Sequence, residues 1–138
     1  MCFASHECPE HLRAALQQAG CEYVLLPANF TQADIANLRA NVLVIDDYNA
    51  QQQQWQYFVD SGAVLVNIDD DTHQQPLLSD IIINPDAGAQ QQAYKKRAPN
   101  AVFCLGPQFA LLRQEFVQQA FLETSKRKHI LITLGGAD

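Results

Sequence analysis

The sequence predicts a doubly wound α/β fold built on a mostly parallel sheet, and three observations carry that prediction. Short apolar runs recur along the chain, their residues are continuous instead of alternating in hydropathy, and amphipathic segments lie between several of them. Runs this short suit strands, not helix cores, and strands without alternation are those buried on both faces by flanking helices. The length of 138 residues is that of one domain, which at this size buries roughly 68–70% of its unfolded surface.

The elements follow in order. Met1 to Ala4 is a weak first strand. Pro9 suits a first helical position, Leu12, Ala15, Leu16 and Ala19 share a helical face, and Gly20 supplies the stop. The run Tyr23 to Leu26 is a strand. Thr31 is an N-cap with Asp34 three residues on, ahead of the apolar pair Ile35 and Leu38. Val42 to Ile45 is the next strand, after which Trp55, Phe58 and Val59 form the buried face of a segment that Gly62 ends. Further strands are Ala63 to Val66, Ile81 to Ile83 and Val102 to Leu105. A helix from about Leu111 to Leu122 follows, with Leu112, Phe116 and Ala120 on its apolar face. The basic run Ser125 to His129 reads as a solvated linker into a last strand, Ile130 to Leu134. The expected division is therefore a first domain over 1–124 and the opening of a second over 125–138.

Charge narrows the possible partners. Nine Lys and Arg stand against 15 Asp and Glu, a net charge of −6, which argues against a surface that grips phosphate backbone or anionic lipid. No apolar run approaches the ~18 residues of a membrane span, and the N-terminus shows no targeting pattern. A cytoplasmic protein with no nucleic-acid partner and no membrane span is expected. The four cysteines form no C-x-x-C pair; they read as reduced thiols, with Cys104 a small buried hydrophobe, and neither a metal nor a cofactor is called for. The glutamine runs at 51–54 and 90–92 read as solvated polar faces.

In a parallel α/β sheet, ligands collect at the carboxyl ends of the strands. The residues there form a polar rim: Asp46, Asp47 and Tyr48; Asp69, Asp70 and Asp71 with His73; Asn84, Pro85 and Asp86; Gly106 and Pro107; and Gly135, Gly136 and Asp138. Clustered carboxylates suit a divalent-cation site or a phospho-acceptor pocket, but the same residues serve as helix caps and solvated turns, which is the reading favoured here. A phospho-acceptor domain also needs a late lysine where this chain has Gly135 and Gly136. Tyr48 offers a phenol that can stack on a sugar or donate a hydrogen bond. His73 reads as a surface histidine. Gly135 and Gly136 would let backbone N–H groups approach a phosphate.

Taken together, the segments Val44-Ile45-Asp46-Asp47-Tyr48, Val66-Asn67-Ile68-Asp69-Asp70 and Asp80-Ile81-Ile82-Ile83-Asn84 resemble successive strand ends of the pseudaminic-acid pathway UDP-sugar hydrolase family. Leu105-Gly106-Pro107-Gln108-Phe109-Ala110-Leu111-Leu112-Arg113-Gln114-Glu115-Phe116 is similar to that family's L-G-P-x-Y-A-L-L-R-x-E-F segment, with Phe109 in place of tyrosine. Residues 130–138 resemble the strand and G-G-x-D turn that open its second domain.

The resemblance implies a GT-B-type pair of Rossmann-like domains with a nucleotide sugar between them, and release of UDP from a UDP-linked diacetamido-trideoxy sugar during surface-polysaccharide biosynthesis. It implies Tyr48 as the catalytic tyrosine, Asp46, Asp47 and Asn84 as substrate contacts, and Gly135, Gly136 and Asp138 as nucleotide contacts. The family's opening strand and its G-x-G-H turn, whose histidine activates water, have no counterpart here. The expectation is thus a sheet lacking its first strand, inactive alone and prone to self-association through open edges. The alternatives are a glycosyltransferase of the same fold and a non-catalytic binding module.

Overall fold

The computed structural model describes residues 1–47, 50–70, 77–113 and 116. Within them the chain forms strands β1 (Cys2–Ser5), β2 (Glu22–Leu25), β3 (Val42–Ile45), β4 (Val64–Ile68), β5 (Ile81–Asn84) and β6 (Val102–Leu105). Helices α1 (Glu10–Gln18), α2 (Gln32–Asn37), α3 (Gln52–Asp60) and α4 (Gln91–Arg97) lie between them, and a 3-10 turn spans Pro107–Phe109. All the strand pairings are parallel. A Rossmann-like α/β fold is therefore present, and each predicted strand among the described residues is found within one or two residues of its expected ends. The last strand, the second domain over 125–138 and most of the helix expected over 111–122 lie outside the described residues. Within that helix Phe116 is helical, whereas 111–113 are not.

The strands divide into two sheets where one was expected. β1 pairs with β2, and β3, β4, β5 and β6 form a second sheet in that order. No strand hydrogen bonds join the two. They are held together by side chains: Phe30, which follows β2, packs with Ile35 of α2, Phe58 of α3, Ile45 and Leu65. The rings of Phe30 and Phe58 are 5.5 Å apart, His6 stacks on Phe30 at 6.1 Å, and the Gln54 amide donates to the Ala28 carbonyl at 3.2 Å.

The strand register decides which faces are covered. Val42 sits beside Val64 and Val44 beside Val66, Val66 beside Ile81, and Ile81 beside Val102, so by the two-residue period these share one face. The opposite face carries Leu43, Ile45, Leu65, Ile82, Phe103 and Leu105. There α2 and α3 cover Ile45 and Leu65, while Tyr94 and Ala98 pack on Ile82. A sheet wound in one direction with crossovers of one hand puts its helices on one side, and that is the arrangement seen. Val42, Val44, Val64 and Val102 are consequently exposed, contrary to the expectation that both faces are buried.

Three smaller expectations are corrected. Pro9 is the N-cap of α1, not its first helical residue; its carbonyl accepts the N–H groups of Leu12 and Arg13, each at 3.0 Å. α1 half-buries Leu12 and Leu16 but leaves Ala15 and Ala19 exposed, because only the narrow β1–β2 sheet lies beneath it. In α3, Val59 is exposed and Tyr57 joins Trp55 and Phe58 against the core. The N-terminus of α2 is as expected: the Asp34 carboxylate accepts from both the backbone N–H and the hydroxyl of Thr31, each at 2.7 Å. Those bonds to the charged form hold the Asp34 carboxyl below its ordinary value.

The amino ends of three strands are clamped by Asp80. Its carboxylate accepts the Leu65 N–H at 2.8 Å, its own N–H donates to Leu65, and its carbonyl accepts the Val102 N–H at 2.7 Å. Above this clamp Ile82 is fully buried. Ile82→Ala is expected to lower unfolding free energy by about 2–5 kcal/mol, read from urea denaturation monitored by circular dichroism.

Candidate functional site

β3 to β6 run parallel, so their carboxyl ends bring Asp46, Asp47, Asp69, Asp70, Asn84, Asp86 and Gly106 to one edge of the sheet. The described members of the rim predicted from sequence thus share one edge of the sheet. Its members differ sharply in environment. Asp46, Asp70 and Asp86 are exposed and Asp47 is half-buried, whereas Asp69 and Asn84 are buried. Tyr48, His73 and Asp71 lie outside the described residues, as do Gly135, Gly136 and Asp138. Among the described residues no group of three or more His, Cys, Asp and Glu side chains could hold a metal ion.

The buried members are organised by α4. This helix is mostly polar, with Lys95, Lys96 and Arg97 in its last turn where the helix dipole favours cations. Tyr94 is its buried anchor. The Tyr94 hydroxyl donates to Asp69 Oδ2 at 2.7 Å and accepts from Asn84 Nδ2 at 2.7 Å. Arg97 reaches the same Asp69 oxygen at 3.2 Å, and its guanidinium lies 5.5 Å from the centre of the Tyr94 ring. Asn84 Oδ1 in turn accepts the backbone N–H of Asp86 at 2.8 Å, and the Asp86 carboxylate accepts the N–H of Gly88 at 2.9 Å. The ends of β4 and β5 and the turn after β5 are therefore fixed by one chain of hydrogen bonds.

Burial demands those partners. A carboxylate or amide removed from water costs several kcal/mol unless its hydrogen bonds are replaced, and here each polar group has a replacement. The network also limits its own chemistry. Burial, reinforced by Asp69, pushes the Tyr94 phenol up to about 12, with the Asn84 bond opposing the rise. A group that holds its proton so tightly is no general acid or base near neutral pH. Tyr94 positions Asp69 and Asn84. Asn84, expected to touch substrate, has both ends of its amide engaged by the protein.

The third strand end is a sharp turn. Gly106 has φ of +106°, a conformation that a side chain would strain, and its N–H donates to the Asn84 carbonyl at 2.8 Å. The 3-10 turn beginning at Pro107 follows, and the Gln108 amide donates back to the Leu105 carbonyl at 2.9 Å. Two open surface depressions lie beside β2, one lined by Arg13, Gln17 and Tyr23, the other by Leu25, Asp34 and Leu38. Neither is lined by a rim residue.

Inspection of strand ends alone passes over Tyr94 and Arg97, because they lie on a glutamine-rich helix with little apolar periodicity. The available signal is the pairing of a single aromatic residue with basic residues one to three positions on. No family model matches this chain, and no curated protein matches it significantly.

Removing only the hydroxyl, Tyr94→Phe, leaves Asn84 and Asp69 short of a partner and is expected to cost about 1–3 kcal/mol in chemical denaturation. The pH dependence has a definite sign. Unfolded tyrosine loses its proton near pH 10, whereas folded Tyr94 keeps it to about 12. This contribution is therefore complete below about pH 10 and is lost as pH rises towards about 12. Denaturation midpoints across that range should fall in the natural protein and fall less in Tyr94→Phe.

Proposed function

We propose that the chain forms the sugar-binding half of a UDP-sugar hydrolase of the pseudaminic-acid pathway type, with a GT-B-like arrangement. The observation that carries this reading is the acidic rim at the carboxyl ends of β3 to β5, held in shape by the buried Asp69–Tyr94–Asn84 chain. Carboxylates accept hydrogen bonds from sugar hydroxyls and acetamido N–H groups but repel a diphosphate. A nucleotide sugar placed here would turn its sugar to Asp46 and Asp47 and its diphosphate away, towards N–H groups such as those at Gly135 and Gly136 beside Asp138.

In this reading Tyr48, three residues after the end of β3, positions the sugar or the attacking water. Water attacks the anomeric carbon, its proton passes to a base, and UDP departs with the bonding electrons. That base is the histidine of the family's G-x-G-H turn, which these residues do not supply. The split of the sheet between β1 and β3 supports the same reading, since a strand pairing with both would join six parallel strands into one doubly wound sheet.

The assay is UDP release from the UDP-linked diacetamido-trideoxy sugar. The 138-residue chain alone is expected to give no release above the spontaneous rate. A single polypeptide that adds a strand with a G-x-G-H turn and a second nucleotide-binding domain should release UDP, and Tyr48→Phe should slow it by roughly 10²-fold or more. Brisk release by the chain alone contradicts the missing-base account. No release by the completed polypeptide contradicts the hydrolase, and release only with an acceptor sugar makes it a transferase.

A further inference from the structure

Burial is unevenly distributed along the chain. Of residues 1–29 only Cys21 is buried, whereas residues 30–98 supply Phe30, Ile35, Phe58, Leu65, Ile82 and Tyr94 to the core. Helix α1 buries no residue, neither do β1 and β2, and these three elements contact chiefly one another. Their sheet is a single parallel ladder, closed at its ends by the Glu22 N–H on the Met1 carbonyl at 3.0 Å and the Leu26 N–H on the Ser5 carbonyl at 2.9 Å. A two-stranded sheet is marginal in water unless it packs against something else.

The packing that holds it is slight. Leu26 lies half-buried against the Phe30 cluster, and the His6 ring stacks on Phe30, with its Nδ1 3.1 Å from the Leu26 carbonyl. Between β2 and α2 the seam is left open by the depression of about 260 Å³ that Leu25, Asp34 and Leu38 line, whereas close-packed interiors rarely leave such room. The connection just beyond is firmer. Phe30 is buried with Ile35 and Phe58, its N–H closes a turn on the Pro27 carbonyl at 3.0 Å, and Gln54 holds the Ala28 carbonyl.

We propose that β1, α1 and β2 form a hinged unit that opens from the four-stranded sheet without unfolding it, moving on the turn over 27–30 and latched by Leu26 and His6 against Phe30. The free energy of such an opening is set by the apolar contacts and ladder bonds it must break, and here both are few. The Phe30 cluster includes Ile45, which directly precedes Asp46. Opening therefore carries His6 and the end of β1 away from the β3 end of the rim, while the Asp69–Tyr94–Asn84 chain stays closed. The unit is a movable flank beside a fixed rim.

Native-state hydrogen exchange of the full chain, resolved by peptide mass spectrometry near neutral pH, tests this. Amides of β1 and β2 are expected to be protected, but to exchange about 10-fold or more faster than those of β4 and β5 after correction for intrinsic rates. Ile82→Ala, which weakens the four-stranded sheet, should speed exchange in β4 and β5 about 30-fold or more and leave β1 and β2 within about twofold. Leu26→Ala should speed β1 and β2 about threefold or more. Equal protection of the two sheets, or β1 and β2 accelerating in step with β4 and β5 in Ile82→Ala, overturns the proposal, because the chain then opens as one unit. Absence of protection in β1 and β2 also overturns it, since no docked state then exists, and so does an unchanged rate in Leu26→Ala. Should Ile82→Ala unfold the chain by circular dichroism, Ile82→Val applies the same criterion, with a rise in β4 and β5 of about twofold or more.

Discussion

The hydrogen bond from the Tyr94 hydroxyl to Asp69 is the interaction on which the described site depends. It lies where three structural demands meet. The end of β4 must place a carboxylate in a region closed to water, α4 must dock a polar helix on an apolar sheet, and the end of β5 must hold an amide beside it. One hydroxyl that donates to Asp69 and accepts from Asn84 meets all three. Arg97 supplies the compensating charge. Without the hydroxyl, two buried polar groups lose a partner, and α4 is left with the packing of the Tyr94 ring around Ile82 and Phe103, the Arg97–Asp69 ion pair and the bond from the Leu77 N–H to the Arg97 carbonyl.

Below the site the same logic uses Asp80, whose carboxylate and backbone link β4, β5 and β6 at their amino ends. The apolar layer around Ile82 is thus bounded by polar fixtures at both ends of the strands. Polar chemistry therefore concentrates at the rim and apolar burial between. The imbalance lies across the sheet. One face has helices, the other has valines, and the neighbouring β1–β2 pair is thinly covered. A two-stranded unit has little stability of its own, so its attachment through Phe30, Phe58 and His6 matters more than its single ladder.

Much of this was legible in the sequence. The runs at Val42–Ile45 and Val102–Leu105 coincide with β3 and β6, because short apolar runs containing β-branched or aromatic residues favour the pleated, buried surface of a strand. Thr31 and Asp34 mark the start of α2, since their hydrogen bonds are local. The rim followed from strand direction alone. What was not legible depends on contacts distant in sequence. Val44 and Ile45 look alike as residues, yet register and helix placement expose one and bury the other. Tyr94 sits in a glutamine-rich stretch and gains its role only when Asp69, 25 residues earlier, is folded against it. The division into two sheets also escapes a local reading, because strand neighbours are chosen by tertiary packing. The internal bonds at both ends of the Asn84 amide, to Tyr94 and to the Asp86 N–H, were likewise not legible, since they form only in the folded chain.

The most direct test of this account is a double-mutant cycle between Asp69→Asn and Tyr94→Phe, with unfolding free energies measured in urea. If the buried network works as a unit, the pair should show a coupling energy of about 1 kcal/mol or more. Additivity within about 0.5 kcal/mol would mean that the two groups are independent, and would contradict the claim that Tyr94 organises the carboxyl ends of β4 and β5.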